Sequence, residues 1–180
     1  ARLNGAKAEV KDEALALRLV DQLKRRTLRV SDVLRKEVRK NAPPPFITSS
    51  LQQAASSALG YAPSRTMRFA QKLYEGVDLG HGSASGLITY MRTDSFSIAQ
   101  EAREQARAFI LKEHGQEFLP ETPNVFRSRS SAQEAHEAIR PTDPARTPDS
   151  LKEVLDRDEW RLYDLIWRRF MASQMAPARI

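Results

Sequence analysis

Residues 48–76 read TSSLQQAASSALGYAPSRTMRFAQKLYEG. Thr48 or Ser49 can cap a helix through Leu59 that Gly60 closes, and Ser64 can cap a second through Glu75, closed by Gly76. The reasons are local. A Ser or Thr oxygen accepts a free amide proton of the first turn, and glycine takes the left-handed backbone that ends the last. Two helices joined by the turn GYAP also raise a functional possibility, a helix-turn-helix with Arg65 and Arg68 near the amino end of its second helix facing DNA.

Upstream of this pair, residues 41–45 (NAPPP) remove backbone donors, force an extended chain and make a boundary. Before them, Ala14, Leu15, Leu17, Leu19, Val20 and Leu23 fall at helical spacing and predict a helix over 12–25. From Leu28 the period becomes two: Leu28, Val30, Leu34 and Val38 share one parity, with Arg29, Ser31, Arg35, Glu37 and Arg39 on the other. That alternation predicts a half-buried strand, basic on its exposed side. The first residues, ARLNG, read as the tail of another strand.

Downstream, residues 77–85 are Gly-rich and read as a mobile loop, and LITYM at 87–91 as a buried strand or extended segment. Ser97 with Gln100 forms a capping box opening a helix that ends near Gly115. Pro120, Pro123, Arg127 and Arg129 mark an irregular connection, and Ser131 with Glu134 forms another capping box for a short helix that Pro141 stops. Helices are predicted over 150–156 and 158–173, the second with Trp160, Tyr163, Ile166, Trp167 and Phe170 on one side as core. Pro177 ends it, and the final ARI reads as the start of a strand. The fold class is therefore mainly α: a helical domain with a short strand carrying Tyr90, flanked by small β-strand pieces.

Composition bounds the function. The chain has 180 residues, 41% of them hydrophobic, and a mean hydropathy of -0.55. No apolar run approaches the roughly 20 residues a spanning helix needs, and no apolar signal-peptide core opens the sequence. The absence of cysteine excludes disulfides, thiolate zinc sites and cysteine nucleophiles, and three histidines make an imidazole metal centre a poor fit. Formal charge is +6 with a pI near 9.8, which points towards nucleic acid. Residues 24–40 carry all of that excess, with eight basic side chains against two acidic, and this stretch also reads as a solvated face or basic linker.

Two clusters can do chemistry. Tyr90 ends the apolar run and is followed by Arg92, Thr93, Asp94 and Ser95. It reads either as a buried tyrosine with a satisfied hydroxyl or as a nucleophile whose oxygen a cation and a base keep reactive. A nearby guanidinium favours the phenolate and grips phosphate bidentately. The second cluster is SAQEAHEAIRPTD, residues 131–143. If residues 132–138 are helical, Gln133, His136, Glu137 and Arg140 share a face, as a phosphate-binding pair or as a surface salt-bridge cluster with Glu134 and Glu137.

Taken together, GLITYMRTDS at 86–95 and SAQEAHEAIRPTD about 40 residues later strongly resemble the type IA DNA topoisomerases, bacterial topoisomerase I in particular. PPPFITSSLQQAAS at 43–56 and LYDLIWRRFMASQM at 162–175 resemble the same family in the expected order. The resemblance implies that Tyr90 is the nucleophile that cleaves one DNA strand to a 5′-phosphotyrosine and a free 3′-hydroxyl. It further implies that Arg92 stabilises the scissile phosphate, Asp94 orders the motif, and His136 binds the cleaved strand. For Arg140 it implies a phosphate or a structural role. Arg127 and Arg129 are candidate DNA contacts because they are basic residues in the same region.

By the same resemblance, residues 1–42 are a strand-helix-strand part of the arch-forming domain II. Residues 43–172 are the tyrosine-bearing domain III, and 173–180 a return strand into the arch. The family's catalytic glutamate and Mg²⁺ ligands lie on a Toprim domain, and no Asp-x-Asp-x-x-Gly motif or zinc-ribbon repeat occurs in these residues. The expectation is thus a central segment that holds no metal or cofactor of its own and relaxes no supercoils alone. Its implied partners are single-stranded DNA and the remaining domains of a cytoplasmic, nucleoid-associated enzyme, with no membrane. The rivals are a non-catalytic DNA-binding module built on the helix pair at 49–75, or an interaction surface without chemistry.

Overall fold

The computed structural model describes every residue except 1, 4, 5, 8, 28, 31, 80–83 and 127–135. The chain divides into two compact units, residues 1–37 and 38–180. In the first, β1 (Arg2–Leu3) pairs antiparallel with β2 (Ala6–Lys7), and α1 (Glu13–Lys24) follows. The α1 helix starts where the periodicity places it because the Asp12 carboxylate accepts the Leu15 amide at 2.7 Å. No residue of α1 is buried.

The strand expected from Leu28 forms only at its far end. Residues 29, 30 and 32–37 lie in no strand, and Val30 and Leu34 are 83% and 86% exposed. Alternation makes a strand only where a partner and an apolar layer cover one face, and the apolar side chains of Val30, Val33 and Leu34 are left exposed. Pairing begins at Val38, which exchanges backbone bonds of 3.0 Å with Ile180, and continues in β3 (Arg39–Lys40), antiparallel to β6 (Ala178–Arg179), so the carboxy-terminal ARI does enter a strand. The described basic side chains of 24–40 are all exposed.

The second unit is built on α2 (Thr48–Leu59), α3 (Pro63–Glu75) and α5 (Arg157–Gln174), which share a core of Leu51, Ala55, Phe69, Leu73, Tyr163 and Ile166. Gly60 ends α2 at φ 71°, as its position implied. The caps differ in detail: Thr48 is the first helical residue of α2 and Pro63 that of α3, where a missing N–H costs nothing. α4 (Gln100–Glu113) lays Ala102, Ala106 and Ile110 against Phe170 and Met171 of α5, forming a second cluster.

The aromatic stripe of α5 is core, as its spacing predicted. Tyr163 and Phe170 are fully buried, while Trp160, Tyr163 and Trp167 donate to the carbonyls of Pro148, Arg146 and Pro144. These bonds hold the 144–148 connection against the helix. The helix expected over 150–156 is a single 3-10 turn, Asp149–Leu151. The loop expected at 77–85 has paired ends, β4 (Val77–Asp78) with β5 (Ala84–Ser85), and its tip lies outside the described residues. Among the described residues, no helix is long and apolar enough to cross a membrane.

Candidate active site around Tyr90

Tyr90 lies on an extended segment that three parts of the chain hold in place. Of the strand or extended segment expected at 87–91, the extended segment forms, with one bridge, Ile88 with Pro141, flanked by Thr89 N–H to Arg140 O (2.9 Å) and Thr142 N–H to Leu87 O (3.0 Å). Leu87, Ile88 and Met91 are buried in the helical core, so Tyr90 is turned outward and is 41% exposed. Gly86 is required by close approach. A Cβ there would sit 2.7 Å from the Tyr74 carbonyl oxygen, because Leu87 N–H donates to Leu73 O at 2.7 Å. The tyrosine segment is thereby stitched to the last turn of α3.

The amino end of α2 makes the second clamp. The Thr48 hydroxyl lies 2.7 Å from Met91 O and accepts the Thr93 amide at 2.9 Å, while the Thr48 amide donates to Thr93 O. These bonds bracket Arg92, whose side chain projects to solvent, as does that of Asp94. Thr93 and Ser95 are buried, and their hydroxyls accept the Ser95 and Ser97 amides. The polar run RTDS therefore alternates between clamped and projecting side chains.

The third support is the segment from His136. Its described residues, 136–140, are extended and not the helix expected up to Pro141, because their backbone is drawn into other strands of chain. Ala138 N–H donates to Ser97 O, Ile139 bridges Phe46, and Thr89 Oγ1 contacts Ala138 O at 2.7 Å. The shared helical face of Gln133, His136, Glu137 and Arg140 is therefore not present at 136–140, and Gln133, Arg127 and Arg129 lie outside the described residues. The salt-bridge reading holds for one pair: Arg140 binds Glu137 Oε2 through Nε (3.0 Å) and Nη2 (2.6 Å), and Pro141 O through Nη1. Its side chain is only 12% exposed.

Tyr90 and His136 come together. Their ring centroids are 6.4 Å apart, and both line a pocket of about 350 Å³ with Tyr74, Thr89, Thr93 and Glu137. His136 and Thr93 also line an adjoining open depression of about 660 Å³ with Arg92, Asp94 and Gln52. Four of the predicted residues thus line a concave face of two hollows that share His136 and Thr93, with Tyr90 in one hollow and Arg92 and Asp94 in the other. Such a concavity suits a phosphate placed between an oxygen nucleophile and cationic or hydrogen-bonding groups.

Sequence reasoning did not place Tyr74, Thr89 or Thr48 at the site. Tyr74 sits at the end of α3 with no local motif, and Thr48 is noticed only as a cap. Of the two arginines in the helix-turn-helix reading, Arg65 pairs with Asp158 of α5 at 2.5 Å and stacks over Tyr61, while Arg68 lies over Phe69, and both are exposed. Tyr61 also donates to Asp158 at 2.8 Å. Burial first, and then this carboxylate, push the phenol upward, while the bonds from Tyr61 and then Arg65 hold the Asp158 carboxyl below its ordinary value.

A DNA topoisomerase family model matches residues 2–180. The chain therefore belongs to the DNA topoisomerase family, on its type IA branch. It is 50% identical over 171 residues to DNA topoisomerase 1 of Helicobacter pylori and 48% identical over 166 residues to that of Xylella fastidiosa. Those matches take in 94% and 92% of this chain but 23% and 20% of the relatives, so the chain spans less than a quarter of their length. The full-length topoisomerase I of Thermotoga maritima superposes with a TM-score of 0.69 at 43% identity, over 80% of this chain and 22% of that one.

Proposed function

We propose that this chain carries the strand-cleaving tyrosine of a type IA topoisomerase acting on single-stranded DNA. The Tyr90 oxygen attacks the phosphorus of a backbone phosphodiester. The bond from phosphorus to the 3′ oxygen breaks, a 5′-phosphotyrosine forms, and in net the 3′ oxygen gains the proton that the phenol loses. Religation reverses these steps without ATP, because the ester retains the bond energy. Through many such cycles the full-length enzyme relaxes negatively supercoiled DNA.

Arg92 is assigned to the scissile phosphate, where a guanidinium offset from the phenol stabilises the charge of the five-coordinate phosphorus. His136 is assigned to the cleaved strand and Asp94 to ordering of the Arg92 loop. Arg140 is assigned the structural alternative, since its guanidinium is occupied by Glu137 and Pro141. Arg127 and Arg129 are kept as candidate contacts to the strand. What supports the reading above all is that His136 shares one pocket with Tyr90 and a second with Arg92 and Asp94.

The proposal keeps residues 43–172 as the tyrosine domain and 1–42 with 173–180 as arch segments. Among the described residues, no three His, Cys, Asp or Glu side chains gather to hold a metal ion. The proposal leaves the Mg²⁺ and the general acid to the Toprim domain that the resemblance implies. The 180-residue chain alone is expected to bind single strands weakly and not to relax supercoils. The cellular setting that goes with this reading is the cytoplasm, at the nucleoid.

The test is adduct formation in a full-length topoisomerase carrying this segment. With an oligonucleotide labelled at its 3′ end, the covalent adduct carries the label on the downstream piece, and Tyr90→Phe forms none. An adduct that persists in Tyr90→Phe overturns the assignment.

A further inference from the structure

Glu137 has been described as the partner of Arg140, but its second oxygen does something different. Oε1 accepts the Ala99 amide at 2.7 Å, at the amino end of α4, across 38 residues of sequence. The helix has no capping hydrogen bond from its own N-cap side chain, so Glu137 supplies it from the neighbouring segment, where the positive end of the helix dipole favours a carboxylate. One carboxylate thus joins three elements: α4 through Ala99, the inward-turned Arg140, and its own backbone beside His136.

We propose that Glu137 is a positioning residue that fixes the His136 imidazole against Tyr90; the proposal rests on the reading of Tyr90 and His136 given above. Backbone bonds fix this segment from Ala138 onward, through Ser97, Phe46 and Thr89. Glu137, next to His136, is the side-chain anchor that precedes these backbone bonds, tied at once to Ala99 and to Arg140. The 6.4 Å ring approach between His136 and Tyr90 is therefore set from one side by Thr89, adjacent to Tyr90, and from the other by Glu137. Both Glu137 and Thr89 also line the pocket that holds the two rings. A loosened anchor displaces the imidazole without removing it, and displacements of about 1 Å can cost on the order of 100-fold in rate.

The experiment uses a full-length topoisomerase carrying this segment, with Glu137→Ala, Glu137→Gln, His136→Ala and the double alanine variant. Single-turnover cleavage and Kd for a single-stranded oligonucleotide are measured for each. Glu137→Ala is expected to slow cleavage about 10- to 100-fold while Kd changes by less than about threefold. Glu137→Gln, whose amide oxygen still accepts from Ala99, recovers part of the rate, and the double variant is no slower than His136→Ala. Wild-type cleavage by Glu137→Ala where His136→Ala is slow, or losses that multiply in the double variant, overturns the proposal.

A second measurement separates this proposal from the reading beneath it. In the 180-residue chain with 3-fluorotyrosine at position 90, His136→Ala removes a ring facing the probe, and Glu137→Ala and, more weakly, Glu137→Gln are expected to move the ¹⁹F resonance in the same direction. An unmoved resonance in both Glu137 variants, with melting temperatures showing them folded, refutes the positioning role even if Tyr90 and His136 act as proposed. A moved resonance together with wild-type cleavage by His136→Ala upholds the positioning and refutes the catalytic reading of the histidine.

Discussion

The Tyr90 ring stands edge-on to that of Tyr74, with centroids 5.3 Å apart and planes at 63°. Tyr74 belongs to the last turn of α3, so the nucleophile candidate is backed by a helix of the core and faced by His136 across the pocket. An aromatic pair in this geometry stabilises by about 0.5–1.5 kcal/mol beyond area burial and restricts the swing of the ring. Tyr74→Phe keeps the contact and is expected to cleave at the wild-type rate in the full-length enzyme. Tyr74→Ala is expected to lower cleavage severalfold and stability by about 1 kcal/mol. Equal rates for the two variants, measured in single-turnover assays, count against a role for Tyr74 in presenting Tyr90.

Arg92 projects into the depression beyond His136, and its backbone is held by Thr48. A guanidinium that acts on the reacting phosphate contributes most where charge develops. Arg92→Ala is therefore expected to reduce cleavage by about 100-fold or more while weakening single-strand binding much less. Equal losses in the two measurements make Arg92 an ordinary phosphate contact.

Two glycines separate backbone conformation from close approach. At Gly60, with φ +71°, nothing lies within 4 Å of an added Cβ, so Gly60→Ala is expected to cost only the left-handed backbone penalty, about 1–2 kcal/mol. At Gly86 the added Cβ would press on the Tyr74 carbonyl at 2.7 Å, and either Tyr74 or the Leu87 segment must shift. Gly86→Ala is expected to reduce cleavage as well as lower the melting temperature, whereas Gly60→Ala lowers only the melting temperature. Normal cleavage by a folded Gly86→Ala enzyme refutes the idea that this stitch sets the tyrosine.

Asp158 links α5 to Tyr61 and Arg65, and those two bonds hold its carboxyl below the ordinary 3.8. A carboxyl with a depressed folded value contributes stability that is present in full above the unfolded value and fades as pH falls through the folded one. Thermal melts of wild type and Asp158→Asn are therefore expected to differ by a constant amount from neutral pH down to about 5. The difference then narrows below pH 3.8 as the wild-type carboxylate is protonated. A difference that stays constant into strong acid would show that the bonds do not depend on the charge.

The helices were legible because helix formation depends on residues three or four apart. The apolar spacing of α1 and the aromatic stripe of α5 lie within single stretches of chain, and so do Gly60 and the Asp12 cap. The tyrosine motif was legible for the same reason, as ten consecutive residues whose order carries the resemblance. The alternating run from Leu28 misled, since a strand is a relation between two stretches of chain, and the period of one of them says nothing about the other.

What only the tertiary structure decided is therefore what depends on distant residues. By itself the sequence determined which residues could react and which stretches coil. Folding decided that Glu137 caps a helix 38 residues away and that Thr48 grips the backbone on both sides of Arg92 across 43 to 45 residues. It also decided that Arg140, equal in sequence to any phosphate-binding arginine, turns inward onto Glu137. Backbone and carboxylate groups removed from water must find partners, and which partners come within 3 Å is settled by the packing of the whole unit.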